Sequence, residues 1–262
     1  MAIVLVTGGA RGIGLGIVQA FAGAGHQVMI GDLGGGGGDW NYDLASDEDL
    51  RNAVSVQAGD VESVELDVTQ ADSCAMAVAK TVERFGGLDI LINNAGVVGS
   101  GPIAEFDEAE WDRIFAVNSK GIFLMSQATF SVLRESSQAA IVNTASIAGK
   151  QGVANMSAYC GSKFAAIGIT QSLALELADA DITVNAVCPG IIGTAMWLDH
   201  LLPSNFAGTD EKMRNFDELM AKRIPLGRPQ TAEDIAEAVL YMATARNVTG
   251  IALTVAGGIQ LN

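Results

Sequence analysis

Short apolar runs alternate with amphipathic segments along the whole chain, and this alternation constrains the fold more than any other feature. Each run is largely continuous, as expected of a strand that is buried on both faces of a parallel sheet. Strands that alternate with helices predict an α/β fold with one doubly wound parallel sheet. Seven runs are interpreted as strands, at residues 2–6, 27–30, 61–66, 88–92, 139–145, 182–187 and 251–255.

Two of the predicted helices begin at side chains that can cap them. Ser46 with Asp49, and Thr231 with Asp234, have the spacing at which a hydroxyl and a carboxylate satisfy backbone N–H groups of the first turn. Another helix follows the first strand and ends near residue 24. Further helices are predicted over residues 71–85, 107–133 and 154–179.

The connection between residues 191 and 230 has weak hydrophobic periodicity. A connection of this length within a compact domain is typical of a lid or a binding loop, so a substrate lid is predicted there. No linker composition divides the chain. Residues 1–262 are therefore predicted to form a single domain, with helices on both faces of a seven-stranded sheet.

The composition is that of a soluble globular protein, and it argues against several kinds of partner. Of the 262 residues, 49% are hydrophobic and 17% are charged, and the formal net charge is −15. Nucleic acid and anionic membranes would both repel such a surface. No apolar run approaches the length of a membrane span. The predicted ligand is a small molecule, with neither a nucleic acid nor a membrane as partner.

Histidine and cysteine are scarce in this chain. Two histidines argue against a Ser-His-Asp triad and against a histidine-based metal site. The three cysteines show no C-x-x-C spacing. We therefore predict no metal site, reduced thiols and a cytoplasmic location.

A glycine-rich turn, Gly8-x-x-x-Gly12-x-Gly14, follows the first strand and opens the first helix. Glycines in this position let the backbone approach a pyrophosphate, and the helix N-terminus supplies N–H donors and the positive end of a dipole. This is the context of a dinucleotide-binding site. Because the spacing differs from the general G-x-G-x-x-G fingerprint, glycines that serve only packing remain an alternative interpretation.

Asp32 ends the second strand, eighteen residues after Gly14. An acidic residue about 20 residues beyond such a turn binds the ribose 2′-hydroxyl of NAD, and it repels the 2′-phosphate of NADP. The next residue, Leu33, brings no positive charge, so NAD is the predicted cofactor. Arg11 is the opposing feature, because a basic residue in the turn can meet a 2′-phosphate. In the alternative interpretation, Asp32 only caps a turn and Arg11 is only solvated.

Tyr159 and Lys163 are four positions apart in the predicted helix over residues 154–179, so they lie on one face. An ammonium close to a phenol favours the phenolate and lowers the pKa of the tyrosine, which is ordinarily about 10. Such a shift would make a tyrosine a useful base at neutral pH. Ser146 follows the fifth apolar run, where a strand would end. Taken alone, the Tyr-x-x-x-Lys spacing is also that of an ordinary surface pair.

Several motifs occur together in one order and spacing. They are Thr7-Gly8-x-x-x-Gly12-x-Gly14, Asp67, Asn93-Asn94-Ala95-Gly96, Asn118, Ser146, Tyr159-x-x-x-Lys163 and Pro189-Gly190. In this arrangement the chain resembles the short-chain dehydrogenase/reductases from about residue 2 to residue 258. The resemblance implies a Rossmann-fold oxidoreductase of secondary alcohols and ketones that assembles as a homotetramer.

The resemblance also implies catalytic roles for four residues. Tyr159 becomes the general base for the hydroxyl proton, and Lys163 favours its phenolate. Ser146 donates a hydrogen bond to the substrate oxygen, and Asn118 holds a water that connects Lys163 to solvent. The alternative interpretations are a strand-end cap for Ser146 and an exposed or helix-kinking amide for Asn118; the full set of motifs favours the catalytic roles.

The cofactor contacts are predicted from the glycine turn, from the strand ends and from the resemblance. The resemblance places Asp67 at the adenine, Asn93 near the adenosine ribose, and Ile192 with Thr194 at the nicotinamide carboxamide. The full predicted set is Gly8, Arg11, Gly12, Ile13, Gly14, Asp32, Leu33, Asp67, Val68, Asn93, Ala95, Gly96, Tyr159, Lys163, Pro189, Gly190, Ile192 and Thr194.

Residues 33–45 form an insert that departs from the common pattern of the family. The insert is rich in glycine and also contains Trp40 and Tyr42. Because it lies next to the predicted adenosine end of the cofactor site, one interpretation is that it folds over NAD and slows its release. The other interpretation is a mobile surface loop. Its last residues, Asp43-Leu44-Ala45, are similar to a subgroup that resembles carveol dehydrogenases.

The residues expected to face the substrate are mostly apolar, without an arginine clamp for a phosphate or carboxylate. The stretch at residues 188–192, with Met196-Trp197, resembles diol and polyol dehydrogenases of the acetoin/butanediol and sorbitol types. A small neutral diol, polyol or cyclic alcohol is the predicted substrate, while Lys150 and Lys212 keep an anionic one open. The predicted substrate-binding residues are Ser146, Ile147, Gln151, Met156, Met196 and Trp197.

Two other functions compete with an NAD-dependent alcohol dehydrogenase. An NADPH-dependent 3-oxoacyl-type reductase would share the whole sheet, and Asp32 is the feature against it. A non-catalytic dinucleotide-binding regulator is the third possibility. The presence of both Tyr159 and Lys163 argues against that, because such proteins tend to lose one of the two.

Overall fold

The computed structural model describes residues 1–35, 44–57, 59–193 and 209–261, with residues 209–213 described by their helical backbone alone. Most of the predicted insert at residues 33–45 therefore lies outside the described residues. The predicted ligand-binding residues Thr194, Met196 and Trp197, and the side chain of Lys212, also lie outside them.

Within the described residues, seven parallel strands form one sheet, which confirms the doubly wound parallel architecture. The central strands are buried along their whole length, as their continuous apolar sequences predict. The strands are β1 (Ile3–Thr7), β2 (Gln27–Asp32), β3 (Val61–Glu65), β4 (Ile90–Asn93), β5 (Ala140–Thr144), β6 (Thr183–Pro189) and β7 (Ala252–Val255). Their order across the sheet is β3-β2-β1-β4-β5-β6-β7.

Helices cover both faces of the sheet, as predicted. They are α1 (Gly12–Gly23), α2 (Asp47–Ser55), α3 (Ala71–Phe85), α4 (Glu108–Phe115), α5 (Gly121–Leu133), α6 (Ser157–Glu176), α7 (Thr209–Arg223) and α8 (Ala232–Thr244). The core on one face is built around α1 and α8, and the core on the other around α3, α5 and α6. The strand order reverses between β1 and β4, and a crevice forms at that point outside the carboxyl ends of the strands.

The capping pairs that mark two helix starts are confirmed. Ser46 Oγ accepts from the Asp49 N–H while the Asp49 carboxylate accepts from the Ser46 N–H, which completes a capping box at the start of α2. Thr231 and Asp234 form the same reciprocal pair at the start of α8. Both starts were predictable because a capping box is a local signal.

The single helix predicted over residues 107–133 is wrong in its middle. Helices α4 and α5 are joined by a π-helical turn at Ala116–Lys120, which contains Asn118. The π-helical turn has a physical cause, because the buried Asn118 amide is drawn onto the backbone of Val97 by two hydrogen bonds. Such turns insert an extra residue into a helix and reorient the side chains that follow.

Helix α6 is shorter at both ends than the predicted 154–179. Its start is delayed by Asn155, whose φ of 63° is left-handed and cannot belong to the helix. At the other end a short 3-10 turn at Ala178–Ala180 leads to Asp181, which is also left-handed with a φ of 54°.

The weak periodicity of residues 191–230 concealed a helix, α7. Its described side chains Phe216 and Met220, with Ile224 just beyond its end, are buried in a small cluster with Ile191. This cluster is separate from the two cores of the sheet. The second half of the predicted lid is therefore a helix that is packed against the start of the same connection.

Candidate active site

The residues predicted to bind the cofactor and the substrate gather at the carboxyl edge of the sheet. Parallel strands end at the same edge, so motifs far apart in sequence become neighbours there. The glycine turn follows β1, Asp32 ends β2 and Asp67 follows β3. Asn93 ends β4, Ser146 follows β5, and Pro189 ends β6.

The glycine turn brings backbone into contact with backbone. Gly8 and Gly12 have left-handed φ angles of 65° and 55°, which side chains other than glycine rarely adopt. A Cβ on Gly14 would overlap the Gly8 carbonyl oxygen and lie 2.7 Å from Asn94 Nδ2. A Cβ on Gly8 would lie 2.8 Å from Ala95 Cα. These glycines are therefore required for close packing of the backbone, as the alternative interpretation predicted.

The same turn fits the pyrophosphate of a dinucleotide. Helix α1 begins at Gly12, and the Arg11 side chain at its N-cap makes no capping hydrogen bond. First-turn N–H groups have no partner within a helix, so a bound anion can accept from them. The absence of a Cβ at positions 8, 12 and 14 keeps the approach open to the backbone.

Asp32 is fixed beside this turn by two backbone donors. One carboxylate oxygen accepts from the Ala10 N–H at 2.9 Å, and the other accepts from the Leu33 N–H at 2.9 Å. Burial raises the pKa of the Asp32 carboxyl, against the effect of these two hydrogen bonds and of the nearby Arg11 guanidinium. Asp32 therefore stabilises the turn, as the alternative interpretation predicted. It also lies at the end of β2, where the ribose hydroxyl of a dinucleotide would lie.

Thr7 and Asn94 join the turn to the end of β4, a function that the sequence interpretation did not assign. The Thr7 hydroxyl oxygen accepts from the N–H groups of Asn94 and Ala95, each at 3.0 Å. The Asn94 side-chain amide donates to the carbonyls of Thr7 and Gly8 at 3.2 and 3.0 Å. These bonds set the width of the crevice between β1 and β4.

Two other predicted cofactor residues use their side chains within the protein. Asn93 is buried and donates to Asn143 Oδ1 at 2.9 Å, inside the core behind the crevice. One Asp67 carboxylate oxygen accepts from the backbone N–H of Thr69 at 2.9 Å and from its hydroxyl at 2.7 Å. Ile192 belongs to the core on the α1 face, and its backbone bridges to Gln230. Val68 is buried. At these four residues, a ligand could therefore contact the second carboxylate oxygen of Asp67 or backbone atoms.

Tyr159 and Lys163 lie on one face of α6, as their spacing predicts. Lys163 Nζ is 5.8 Å from the centroid of the Tyr159 ring, and it donates to the Thr144 carbonyl at 2.8 Å. The Lys163 side chain is buried, and burial lowers the pKa of its ammonium to about 8. Thr144 is the last residue of β5, so Lys163 anchors α6 to the strand that precedes Ser146.

Ser146 lies two residues beyond Thr144, at the N-cap of a short 3-10 turn at Ile147–Gly149. Its hydroxyl oxygen accepts from the Ala148 N–H at 3.1 Å. The turn packs closely on α6, because a Cβ on Gly149 would lie 2.6 Å from the Lys163 carbonyl oxygen. Ser146 therefore is a cap, and the same contacts hold it next to the Tyr159–Lys163 helix.

Asn118 reaches this group from the π-helical turn. Its Oδ1 accepts from the Val97 N–H at 2.9 Å, and its Nδ2 donates to the Val97 carbonyl at 2.8 Å. A Cβ on Gly96 would be 3.4 Å from both Asn118 Oδ1 and Lys163 Nζ. The structure thus brings all four predicted catalytic residues together at the ends of β4 and β5.

The predicted substrate residues surround the same point less closely. Ile147 and Met156 are half-buried, and Gln151 is exposed. The Lys150 ammonium, considered for an anionic substrate, donates to the Ala252 carbonyl at 2.6 Å and to the Thr254 hydroxyl at 2.9 Å. Its charge is therefore directed at β7.

The described residues contain neither a metal-binding group nor a membrane-spanning helix. In that part of the chain, no group of three or more His, Cys, Asp and Glu side chains is placed to hold a metal ion. None of the described helices is long and apolar enough to cross a membrane.

A family model described as short chain dehydrogenase matches residues 2–201. The chain belongs to this family. The match covers the glycine turn, Asp32 and the residues gathered around Lys163. Membership confirms the expected oxidoreductase class.

Relatives in the family carry names that refer to different substrates. The chain is 36% identical to galactitol 2-dehydrogenase of Agrobacterium fabrum over 93% of its length and 90% of the relative. It is 35% identical to L-2,3-butanediol dehydrogenase of Corynebacterium glutamicum, over 99% of both chains. It is 34% identical to the 3-oxoacyl-[acyl-carrier-protein] reductase of Thermotoga maritima, over 99% and 98%. The resemblance to diol and polyol dehydrogenases is confirmed, but identity alone does not choose among these substrates.

A solved structure of the family has nearly the same fold. The carveol dehydrogenase of Mycobacterium avium, in complex with NAD, aligns with a TM-score of 0.90 at 26% identity. The alignment covers 98% of this chain and 97% of that chain. The comparison supports a nicotinamide dinucleotide as the cofactor of this short chain dehydrogenase.

Proposed function

We propose that this protein is an NAD-dependent oxidoreductase that interconverts a secondary alcohol and its ketone by hydride transfer. The observation that carries the proposal is the Tyr159–Lys163 pair on α6, with the buried ammonium 5.8 Å from the phenol ring and bonded to the end of β5. Bound NAD would supply the nicotinamide carbon that takes the hydride from the alcohol or returns it to the ketone.

In this proposal the protein handles the proton. Tyr159 is the general base for the alcohol hydroxyl and, in the reverse direction, the general acid for the ketone oxygen. The Lys163 ammonium stabilises the phenolate form of Tyr159. Because the Ser146 oxygen accepts from Ala148, its hydroxyl proton is left to donate to the substrate oxygen as negative charge develops there. Asn118, beside Lys163, would hold the water that connects it to solvent.

The preference for NAD over NADP is supported by Asp32. Its carboxylate is held beside the glycine turn by Ala10 and Leu33, where a 2′-phosphate would meet a negative charge. Arg11 is the only lysine or arginine between positions 1 and 50, and it lowers the pKa of the Asp32 carboxyl against the larger effect of burial. The negative charge of Asp32 nearby offsets part of the attraction of Arg11 for a 2′-phosphate.

We propose a small neutral diol, polyol or cyclic alcohol as the substrate. The names of the galactitol and butanediol relatives support this class. The engagement of Lys150 with β7 removes one of the two lysines that favoured an anionic substrate. Residues 191–230, including α7, would form the lid of this site, and Ile147, Gln151 and Met156 would line it.

The insert at residues 33–45 is proposed to retain the bound cofactor. Both of its described flanks support this position: Gly35 donates its N–H to Asp47 Oδ1 at 3.0 Å, and Leu44 packs on the cluster of Val97, Ile114 and Ala158. Val97 and Ala158 adjoin the catalytic group, so the insert returns to the chain beside it. Deletion of residues 34–38 should raise the dissociation rate of NAD in stopped-flow displacement, and an unchanged rate would remove the proposal.

We also propose that the protein is a cytoplasmic homotetramer. Exposed aromatic side chains on neighbouring helices, Phe123 and Phe130 on α5 and Phe164 on α6, are candidates for burial between subunits. All three cysteines are free and buried, which is consistent with a reducing compartment.

The function is tested by a panel of diols, polyols and cyclic alcohols with NAD and NADP at matched concentration. Appearance of reduced cofactor with NAD, and at least about tenfold lower kcat/KM with NADP, is the expected result. Tyr159→Phe should abolish turnover and leave NAD binding largely intact, because only the acid/base group is removed. Turnover that survives in Tyr159→Phe would refute the assigned mechanism.

The two competing functions predict different outcomes of the same panel. A 3-oxoacyl-type reductase, supported by the similarity to the Thermotoga maritima enzyme, would prefer NADPH and reduce 3-oxoacyl thioesters. A dinucleotide-binding regulator would bind NAD and turn over none of the alcohols.

A further inference from the structure

Ser162 lies on α6 between Tyr159 and Lys163, and its side chain is fully buried. Its hydroxyl oxygen accepts from Asn118 Nδ2 at 3.0 Å, and its proton is donated to the Tyr159 carbonyl at 2.8 Å. One side chain thus links the π-helical turn to the backbone of Tyr159.

The direction of this link is fixed by the backbone of Val97. Val97 presents its N–H to Asn118 Oδ1 and its carbonyl to Asn118 Nδ2, so a flipped amide would oppose like groups at both contacts. The second N–H of Asn118 then needs an acceptor. Since the Ser162 proton is used on Tyr159, the Ser162 oxygen is that acceptor.

A second bond between the same two elements provides a comparison. The Ser119 hydroxyl, also in the π-helical turn and buried, donates to the Ser162 carbonyl at 3.1 Å. This bond holds the turn against α6 without involving Asn118 or Tyr159. Removal of the Ser119 hydroxyl therefore weakens the contact between the π-helical turn and α6 but leaves the Asn118–Ser162–Tyr159 link intact.

We propose that Ser162 is a positioning residue that orients the Asn118 amide and holds Tyr159 in register with it; the catalytic consequence rests on the proposed function. Without the hydroxyl, the second N–H of Asn118 loses its acceptor, and the amide is held beside Lys163 by the Val97 backbone alone. Displacement of the Asn118 amide changes the polar surroundings of the Lys163 ammonium, and this weakens the support for the Tyr159 phenolate.

The principal test is Ser162→Ala in the full-length protein with NAD and an alcohol from the panel. We expect kcat to fall about tenfold, because a small misplacement of a catalytic group has an effect of this order. KM for NAD should change less than about twofold, since the glycine turn is untouched. The acidic limb of the kcat–pH profile should move to higher pH. Ser162→Thr restores the hydroxyl and should recover kcat and the limb.

Two control variants separate this role from general stability. Thr129→Val removes a fully buried helical hydroxyl that is bonded only to carbonyls of its own helix, those of Met125 and Ser126. Ser119→Ala removes the neighbouring bond between the turn and α6. Both should keep the wild-type kcat–pH profile. A wild-type profile in Ser162→Ala, or an equal shift in the controls, would overturn the proposal.

Crystal structures of the wild type and Ser162→Ala provide a test that does not need turnover. The Asn118 amide is expected to be displaced or less ordered in the variant while it keeps its Val97 contacts, and an amide with unchanged position and order would refute the positioning role. If the wild type oxidises none of the alcohols, the proposed function fails. The position and order of the Asn118 amide in the two structures still decide the role of Ser162.

Discussion

The two halves of the carboxyl edge are built in opposite ways. The half formed by β1, α1 and β2 depends on missing side chains, because Gly8 and Gly14 let backbone atoms approach each other more closely than any Cβ would allow. The half formed by the ends of β4 and β5, the π-helical turn and α6 depends on buried polar side chains, such as Asn118 and Lys163, that bond to backbone carbonyls and to one another's neighbours.

This contrast implies that the halves fail for different reasons. In the glycine half, an added methyl group should disrupt the turn, because it would contact backbone atoms, which cannot move aside as a flexible side chain can. In the catalytic half, a removed polar atom should matter more, since its partner is left buried without a hydrogen bond. Thr7 joins the two halves. Although it lies in the glycine half, it should be sensitive to the loss of its polar atom, as residues of the catalytic half are.

The largest effect is expected from Gly14→Ala. Its Cβ would overlap the Gly8 carbonyl oxygen, so the free energy of unfolding should fall by about 3 kcal/mol or more. NAD binding should be lost with it. Gly23→Ala on the same helix is the control, because a Cβ there meets nothing within 4 Å. That variant should gain about 0.5 kcal/mol of stability in urea titrations. Equal losses at both positions would break the comparison.

The buried Lys163 gives the next largest effect, in the pH dependence of stability. Its pKa is about 8 in the folded protein and 10.5 in the reference state, so the unfolded chain binds more protons between these values. The cost of burying the ammonium is therefore present below pH 8 and is lost as pH rises toward 10.5. Relative to Lys163→Met, the wild type should gain roughly 3 kcal/mol over this window.

Urea unfolding of both proteins at a series of pH values measures this difference. Lys80→Met, on the exposed face of α3, removes the same charge without burial and should leave the pH dependence of stability parallel to that of the wild type. Parallel curves for Lys163→Met would contradict the buried, poorly solvated state of the ammonium.

A smaller effect is expected from Thr7→Val, which has nearly the wild-type shape. The Ala95 N–H would lose its acceptor and the Asn94 N–H would keep only the Ile92 carbonyl, at a cost of about 2 kcal/mol. KM for NAD should rise because the crevice between β1 and β4 is no longer tied. Thr7→Ser keeps the acceptor and should cost about 1 kcal/mol, from the lost methyl group alone. If Thr7→Ser is as destabilised as Thr7→Val, the hydroxyl is not what joins the halves.

Much of the sheet could be predicted from sequence because its signals are local. The strands are apolar along their length, and the glycine turn and the capping boxes are complete within a few residues. The helix α7 also had a signal, since Phe216, Met220 and Ile224 recur every four positions. It was missed because the rest of that segment is highly charged and its prolines and glycine suggest a loop.

Several of the contacts that were not predicted involve partners far apart in the chain. Asn118 bends its helix because it binds Val97, and Lys150 binds β7 across more than a hundred residues. Asn93 was expected at the cofactor, but its side chain bonds Asn143 in the neighbouring strand. Such choices depend on how strands and helices are placed together, which no local pattern encodes.

The contact between α1 and α8 has a consequence for synthesis of the chain. Gly16 is so close to Ala232, the first residue of α8, that a Cβ there would lie 2.8 Å from the Ala232 methyl carbon. The helix that carries the glycine turn thus stays uncovered on the ribosome until residues 232–244 have emerged. Nascent chains that stall before this point should display that apolar face to chaperones and proteases, however complete the rest of the sheet is.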